Sequence, residues 1–467
     1  MKKLHFDGVT LGGGPGATPG AQLLARAGKK VAIVEQGKGL GGTCLFEGCI
    51  PSKIFLETAS RLHAFTESAP FGITDAHFGG LDLVQLRQRK TDILAARVQG
   101  ANQVCSRLGI EIIQGTADFV SSHELRVQRP EQEDLLLEAD FLLIAPGSTS
   151  STLHIVGADN PHIWTSADAL RMDEIPRTLT LIGGGYIGCE LATLFSRLGT
   201  QVHILEAAPR LLLTEDPGVS EALIQSWQQS NAGISVDLNV DIQAIRQATE
   251  DLWQINYQDT EGHFHTLESQ RVLMAVGRKP NTAGLSWDKA GLHLGSHGEV
   301  PVNDFYQTEV SHIYAPGDVN GRIMLAHAAT RQAQLAALHI LGRLTNPENL
   351  VVPHVIFTSP EIAAVGADSR SLTEHPEWRL VRWNYAQDAR ARIVGDLTGY
   401  AQLIWDPTSR ELKGLQVMGS EAGELIEEAT YVLTHHGTVD SLAQTIHPHP
   451  TLNEVVSELA SFTISGL

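Results

Sequence analysis

Cysteine is scarce in this chain, with four residues among 467: Cys44, Cys49, Cys105 and Cys189. A disulfide-stapled secreted fold is excluded at that density, and a reducing compartment in which one pair cycles is expected. Basic residues are also few, 34 Lys plus Arg against 53 Asp plus Glu, for a formal net charge of -19. A surface field of that sign repels a nucleic-acid backbone. No segment approaches the run of about 18 apolar residues that spans a membrane. The opening Met1-Lys2-Lys3-Leu4-His5-Phe6-Asp7 lacks the apolar stretch and cleavage site of a secretory signal. A cytoplasmic location without membrane or nucleic-acid partners is therefore expected. Pro-rich or Ser-rich linkers, short-period repeats and a metal-ligand cluster are absent as well.

What is present is glycine, 44 residues, in a chain that is 42% hydrophobic. Such a composition suits an α/β protein with many tight turns, and the length suits roughly two to four domains. Glycine-rich turns follow apolar strands twice. The first unit reads as a strand at His5 to Leu11, the turn Gly12-Gly13-Gly14-Pro15-Gly16-Ala17, a helix to about Ala27, and a strand from Val31 that ends in Glu35. This is the spacing of a dinucleotide-binding βαβ unit. Gly12 lets the chain turn, Gly14 permits close approach of a pyrophosphate, small Ala17 lets helix meet strand, and Glu35 accepts ribose hydroxyls. Pro19 is tolerated only within the first helical turn.

The second unit is a strand at Thr178 to Ile182, the turn Gly183-Gly184-Gly185-Tyr186-Ile187-Gly188, a helix from Cys189 to Leu198, and a strand from Gln201 ending in Glu206. Glu206-Ala207-Ala208 offers a 2′-phosphate negative charge and no adjacent base, which favours NAD over NADP. Arg210 lies close enough to fold back toward a phosphate and works against that preference.

Cys44 and Cys49 sit in Gly41-Gly42-Thr43-Cys44-Leu45-Phe46-Glu47-Gly48-Cys49-Ile50-Pro51-Ser52-Lys53, just downstream of the first unit. Four intervening residues close a small ring. A helix starting near Pro51 would leave Cys49 beside unpaired backbone N–H groups that favour a thiolate. Redox exchange is the expected use; two buried small residues or a structural disulfide is the plainer alternative. Cys105 and Cys189 are expected to pack.

Two further strands are expected at Phe141 to Ala145, before Pro146-Gly147, and at Val272 to Gly277. A third at Ile313 to Gly317 ends in Asp318, a candidate for a cofactor's sugar-like hydroxyls or a plain turn residue, and an alanine-rich helix follows from Leu325 to Leu341. Beyond Asn349, alternation predicts antiparallel strands at 352–358, 380–385, 399–405 and 412–418, then a helix at 422–436. In Pro448-His449-Pro450-Thr451-Leu452-Asn453-Glu454 the prolines put His449 in a turn that can aim it and Glu454 together; such a pair serves acid/base chemistry or surface packing. His447 is expected to pack or hydrogen-bond.

Taken in order, these segments resemble the pyridine nucleotide–disulfide oxidoreductase family, and within it most closely the dihydrolipoamide dehydrogenases. The likeness rests on the Gly12 turn, Cys44 to Lys53, Gly183 to Glu190, Gly277 to Thr282, Gly317-Asp318, Met324 to His327, Phe357 to Glu361 and His447 to Glu454. The resemblance implies two Rossmann-like FAD/NAD(P)-binding domains and an α+β C-terminal dimerisation domain. Residues 1–148 would bind FAD, 149–271 NAD, 272–343 would complete the FAD region, and 344–467 would form the homodimer interface. By motif position, Cys44 is the substrate-facing thiol, Cys49 the flavin-facing one, and His449 the acid/base supported by Glu454. Lys53 and Glu190 would pair beside the flavin. Gly12, Gly14, Gly16, Ala17, Glu35, Lys53, Gly147 and Asp318 fall in the flavin blocks, and Gly183, Gly185, Gly188, Glu206 and Gly277 in the NAD-side blocks. The implied reaction oxidises dihydrolipoamide, free or on a lipoyl-bearing carrier protein, with NAD⁺. Other NAD(P)H-dependent disulfide or metal-ion reductases, and a non-catalytic FAD-binding subunit, are the alternatives. The Glu206-Ala207-Ala208 end lacks a phosphate-binding basic pair, and Phe462 to Leu467 lacks the paired cysteines of a mercuric reductase. The chain departs from the family pattern at Thr18-Pro19, Phe46-Glu47 and Pro146.

Overall fold

The computed structural model describes residues 1–66, 68–75, 77 and 79–464, so the end of the cysteine-free tail, 465–467, lies outside the described residues. The chain forms two compact units, one made of Met1–Ile54, Asp82–Ser151 and Gly277–Asn349, the other of Phe55–Leu81, Thr152–Val276 and Leu350–Leu467.

The first unit is built on a mixed sheet whose strands run in the order Glu111–Gln114, Val31–Glu35, Lys2–Leu11, Leu135–Ile144, Glu124–Gln128 and Thr116–Phe119, with Ile313–Tyr314 also pairing Leu135–Ile144. The parallel strands are buried almost throughout where they are most apolar, as Val31–Glu35 shows, because both sheet faces are covered. Register sets Leu11 beside Val34 on one side and Ile144 on the other. Three strand ends therefore lie level, and the chain leaves them at Gly12, Glu35 and Ala145. The helix Thr18–Arg26 has Pro19 in its first turn, where a missing N–H interrupts no helical hydrogen bond. The Thr18 hydroxyl donates to the Gly13 carbonyl at 2.9 Å. Thr18-Pro19 thus starts the helix without a kink. A Cβ on Gly20 would stand 2.8 Å from the Ala333 carbonyl oxygen, so glycine there lets this helix approach Ala326–Ile340.

The 25-residue helix Leu83–Arg107 was not expected from the pattern. Its buried residues are Leu86 and Cys105 alone, too few to mark an apolar stripe; Asp82 caps it by accepting from the Gln85 N–H at 2.9 Å.

In the second unit a parallel sheet runs Ile234–Leu238, Gln201–Glu206, Thr178–Ile182, Arg271–Met274, accompanied by an antiparallel sheet of Asp241–Thr249, Leu252–Gln258 and Phe264–Ser269. The helix after the second glycine turn begins at Tyr186, three residues earlier than expected, and ends at Arg197. The C-terminal region forms the antiparallel order His354–Ile356, Ile362–Gly366, Leu412–Met418, Tyr400–Trp405, Arg379–Asn384. Ile362–Gly366 was not anticipated: it is a buried run without polar alternation. Helices Ala422–Thr434 and Glu454–Ile464 close a core containing Leu425, Ile426, Leu415, Val417, Val456 and Leu459. Truncating one of these leucines to alanine costs about 2–5 kcal/mol.

Candidate active site

Both glycine turns are explained residue by residue. In the second, Gly183 has φ +104°, and a Cβ there would stand 2.5 Å from the Ala275 carbonyl oxygen. A Cβ on Gly188 would fall 2.0 Å from the Gly183 carbonyl oxygen. Those two glycines are required by the turn and by helix-on-strand packing. Gly185 is different: its φ of -79° suits any residue, and a Cβ would meet no atom within 4 Å. The protein's own packing gives no reason for glycine at 185, whereas a phosphate approaching the backbone does. The first turn repeats the arrangement. Gly12 (φ +93°) would put a Cβ 2.4 Å from the Ala145 carbonyl oxygen, Gly16 one at 3.0 Å from that of Pro316, and Gly14 only at ordinary contact, 3.6 Å from the Gly42 Cα. Ala17 is fully buried. The residues present fit two dinucleotides.

Gly185→Val should therefore raise the KM for NAD⁺ while leaving the Tm unchanged. Gly188→Ala should lower stability by about 1–3 kcal/mol through overpacking. Thermal melts beside nucleotide kinetics separate the two effects.

Glu35 and Glu206 stand at the two strand ends as expected, and each also has a structural task that the spacing did not reveal. Glu35 accepts from the N–H groups of Gly13 at 2.6 Å and Gly37 at 2.5 Å. Glu206 accepts from Gly184 at 2.5 Å and Ala208 at 2.7 Å. Each carboxylate clamps the middle of its glycine turn to the loop after its strand, and a carboxylate's remaining lone pairs are open to ribose hydroxyls. Arg210 does not reach back toward a phosphate. Its guanidinium donates to the carbonyls of Leu212 at 3.2 Å, Leu213 at 2.5 Å and Glu215 at 2.9 Å, which commits it to its own loop.

Asp318 opens the short 3₁₀ turn Asp318–Asn320 and accepts from the Ser148 hydroxyl at 2.5 Å. Arg278, which the pattern had not singled out, donates to the Ser148 hydroxyl at 2.8 Å and to its carbonyl at 2.7 Å. Gly147 and Gly277 take φ of +79° and +108° with open space where a Cβ would stand. Asn281 ties the turn between them, its Nδ2 to the Pro146 carbonyl at 3.2 Å and its N–H to that of Gly147 at 3.0 Å. The proline at 146 leaves that carbonyl available.

Cys44 lies in the short helix Gly42–Phe46, and Cys49 is the first residue of Cys49–Thr66. Gly42 carries φ +57°, and a Cβ there would press within 2.8 Å of the Gly14 Cα. The cysteine segment is thereby held against the first glycine turn. Both sulfurs are thiols in this structure; Cys44 is half-buried and Cys49 exposed. The Cys44 thiol is pushed far above the ordinary thiol range, first by its hydrogen bond to Cys49 and then by burial, with Lys53 and Arg97 opposing. Cys49 is the more exposed member of the pair. Its place at a helix start suits negative charge. Lys53 is half-buried on the same helix. Glu190, on Tyr186–Arg197, accepts from the Phe357 N–H at 3.0 Å. Cys105 and Cys189 are fully buried, and the Cys189 thiol donates to the Gly184 carbonyl at 3.3 Å; both pack, as expected.

The turn around His449 brings the expected pair together. His449 Nδ1 lies 2.9 Å from Glu454 Oε2 and 3.1 Å from Oε1. The carboxylate also accepts from the Thr451 N–H at 3.0 Å. Its pKa is held below the usual carboxylate range, chiefly by the His449 hydrogen bond and next by the Thr451 N–H. With Nδ1 engaged, Nε2 of the exposed imidazole is the atom available for proton transfer.

A family model for pyridine nucleotide-disulphide oxidoreductases matches residues 6–333, and one for the dimerisation domain of that family matches residues 352–460. The chain belongs to this family. It is a flavoprotein oxidoreductase, and the family binds FAD and a pyridine nucleotide. A dihydrolipoyl dehydrogenase from Bacillus subtilis is 35% identical over 457 residues, covering 97% of this chain and 98% of the relative. Among solved structures, LpdA from Mycobacterium tuberculosis superposes with a TM-score of 0.89 at 25% identity, covering 99% of both chains. The Cu(II) complex of the HOCl-induced flavoprotein disulfide reductase RclA from Escherichia coli gives 0.88 at 27% identity, over 98% of this chain and 99% of that one. Among the described residues no helix is long and apolar enough to cross a membrane.

Proposed function

We propose that this protein oxidises a dihydrolipoyl dithiol to its cyclic disulfide and delivers the two electrons to NAD⁺, using Cys44 and Cys49. The observation that carries the reading is the hydrogen-bonded thiol pair at the start of Cys49–Thr66. In the oxidised protein the two sulfurs form one disulfide. His449 Nε2 takes the proton of a substrate thiol, and the resulting thiolate attacks Cys44 Sγ. The Cys44–Cys49 bond breaks and Cys49 leaves as a thiolate. The second substrate sulfur then attacks the first; the bond to Cys44 breaks, Cys44 leaves with the second thiol's proton, and lipoyl disulfide is released. The substrate has lost two electrons and the cysteine pair has gained them. FAD, when bound, supplies the junction through which that pair is reoxidised by NAD⁺.

In this reading Lys53 and Glu190 pair beside the flavin, and a homodimer presents His449 to the thiol pair of the second copy. The substrate arrives on a lipoyl-bearing carrier protein. NAD⁺ is preferred because Glu206 offers a 2′-phosphate only negative charge and Arg210 is engaged elsewhere. The likeness to RclA supports a second reading, reduction of another disulfide or of a metal ion by NAD(P)H.

One steady-state panel on flavin-loaded protein separates them: dihydrolipoamide with NAD⁺ or NADP⁺, glutathione disulfide with either reduced nicotinamide, and Cu(II) or Hg(II) with NADPH. Dihydrolipoamide with NAD⁺ is expected to give the highest kcat/KM by at least about tenfold, or about 1.4 kcal/mol. A higher value for any other pair overturns the substrate assignment and keeps the family.

A further inference from the structure

His449 is held on one side by Glu454, whose carboxylate also accepts from the Thr451 N–H. On the other side stands a second histidine–carboxylate pair that the acid/base chemistry does not use. His447 Nε2 lies 2.8 Å from Glu428 Oε2, and its side chain is only 7% exposed, whereas Ile446 next to it is 95% exposed and the His449 side chain 74%. The short segment after Val439–Gln444 therefore turns one side chain in and its neighbours out. Glu428 belongs to Ala422–Thr434, a helix anchored in the core through Leu425, Ile426, Ala429 and Val432. The bond to Glu428 fastens the histidine segment to that core-packed helix.

His447 Nδ1 is buried with no hydrogen-bond partner among the described residues. A position that only filled space would be better served by an apolar side chain, since a buried polar atom left unpaired costs free energy. What the histidine supplies is the Nε2–H donor to Glu428. A carboxylate only accepts, so Nε2 carries a proton. The segment from His447 to Thr451 then has two anchors, Glu428 before His449 and Glu454 after it. Pro448 and Pro450 stiffen the span between them by fixing φ, and the Thr451 hydroxyl donates to the Pro448 carbonyl at 2.8 Å.

We propose that Glu428 and His447 are positioning residues for His449, the pair holding the turn from which His449 reaches the reacting thiol. The inference rests on the reading of His449 as acid/base. It assigns to the Glu428–His447 bond the orientation of Nε2 of His449, and no part in binding dithiol or nucleotide.

The test compares Glu428→Ala, His447→Leu, the double variant and His447→Gln with His449→Ala, all as flavin-loaded full-length protein. Turnover of dihydrolipoamide with NAD⁺, NADH oxidation by ferricyanide, KM for NAD⁺ and Tm are measured for each. Glu428→Ala and His447→Leu should each lower kcat with dihydrolipoamide about tenfold, the scale of a small misplacement of a catalytic group. The ferricyanide rate and KM for NAD⁺ should not move. The double variant should be no slower than the singles, because the two residues act as one unit. His447→Gln, which restores an N–H donor to Glu428, should recover most of the loss. If His447→Leu fails to fold, Glu428→Gln, which keeps size and removes charge, carries the comparison. Additive losses, unchanged kcat, or an equal fall in the ferricyanide rate overturn the proposal. If His449→Ala leaves dihydrolipoamide turnover intact, the acid/base reading falls and takes the proposal with it.

Discussion

Cys49→Ser is expected to abolish turnover of dihydrolipoamide with NAD⁺ while leaving FAD content and the oxidation of NADH by ferricyanide near wild type. Without Cys49 no intramolecular disulfide exists, so a substrate thiolate has no bond at Cys44 to break and no two-electron store to fill. Cys44→Ser should be equally inactive but distinguishable in the spectrometer. In the serine variant Cys49 can no longer be trapped in the disulfide, so it stays reduced at the head of its helix, where a thiolate is favoured. A long-wavelength band from that thiolate against bound flavin should then be visible without reductant, as it should be in wild-type protein only after mild reduction. In Cys49→Ser it should be absent under both conditions. Turnover near wild type in either variant would rule out the thiol route. The two thiols differ in setting: Cys44 is half-buried in its short helix, and Cys49 is exposed at the head of Cys49–Thr66.

His449→Ala should slow reduction of the cysteine pair by dihydrolipoamide about 100-fold or more, the usual contribution of a positioned acid/base. Reoxidation of the reduced pair by NAD⁺ should change little. Rapid mixing of each half separately makes the comparison, and equal slowing of both would mean general damage. Glu454→Ala should act on the same half, more mildly, by freeing Nδ1. The carboxylate's lowered pKa gives the sign of the pH effect. Its folded-state value is depressed, so the His449–Glu454 bond is intact above the ordinary carboxylate range and is lost as pH falls through the lowered value. The wild-type dithiol half should therefore keep its Glu454 support throughout neutral and mildly acid pH.

The parts of the site that could be read from sequence are those set by short spacing. Gly12 to Ala17 and Gly183 to Gly188 are recognisable because a turn, a phosphate approach and a helix–strand contact recur at fixed offsets. The structure gives Gly185 the open space that this logic requires. His449 and Glu454 were legible because the prolines restrict the turn between them. Contacts between residues distant in sequence were not legible. The clamps from Glu35 to Gly13 and from Glu206 to Gly184 each span 22 residues, and the Glu428–His447 bond spans 19. In the fold, Ile362–Gly366 escaped notice because its run of four buried residues shows no alternation, and Leu83–Arg107 because so little of it is buried. The helix after Gly185 was placed too late because Gly188 reads as a breaker. In the structure Gly188 is helical, and its lack of a side chain is what lets the helix sit on the Gly183 turn.

The most direct measurement counts thiols under anaerobic denaturing conditions across one catalytic cycle. The chain has four cysteines, of which Cys105 and Cys189 are fully buried. Flavin-loaded oxidised protein should show two alkylatable thiols, mapped to Cys105 and Cys189, with Cys44 and Cys49 recovered as one linked peptide. Dihydrolipoamide should raise the count to four, and NAD⁺ added afterwards should return it to two. Four thiols at every stage, with lipoyl disulfide and NADH still being formed, would contradict the account.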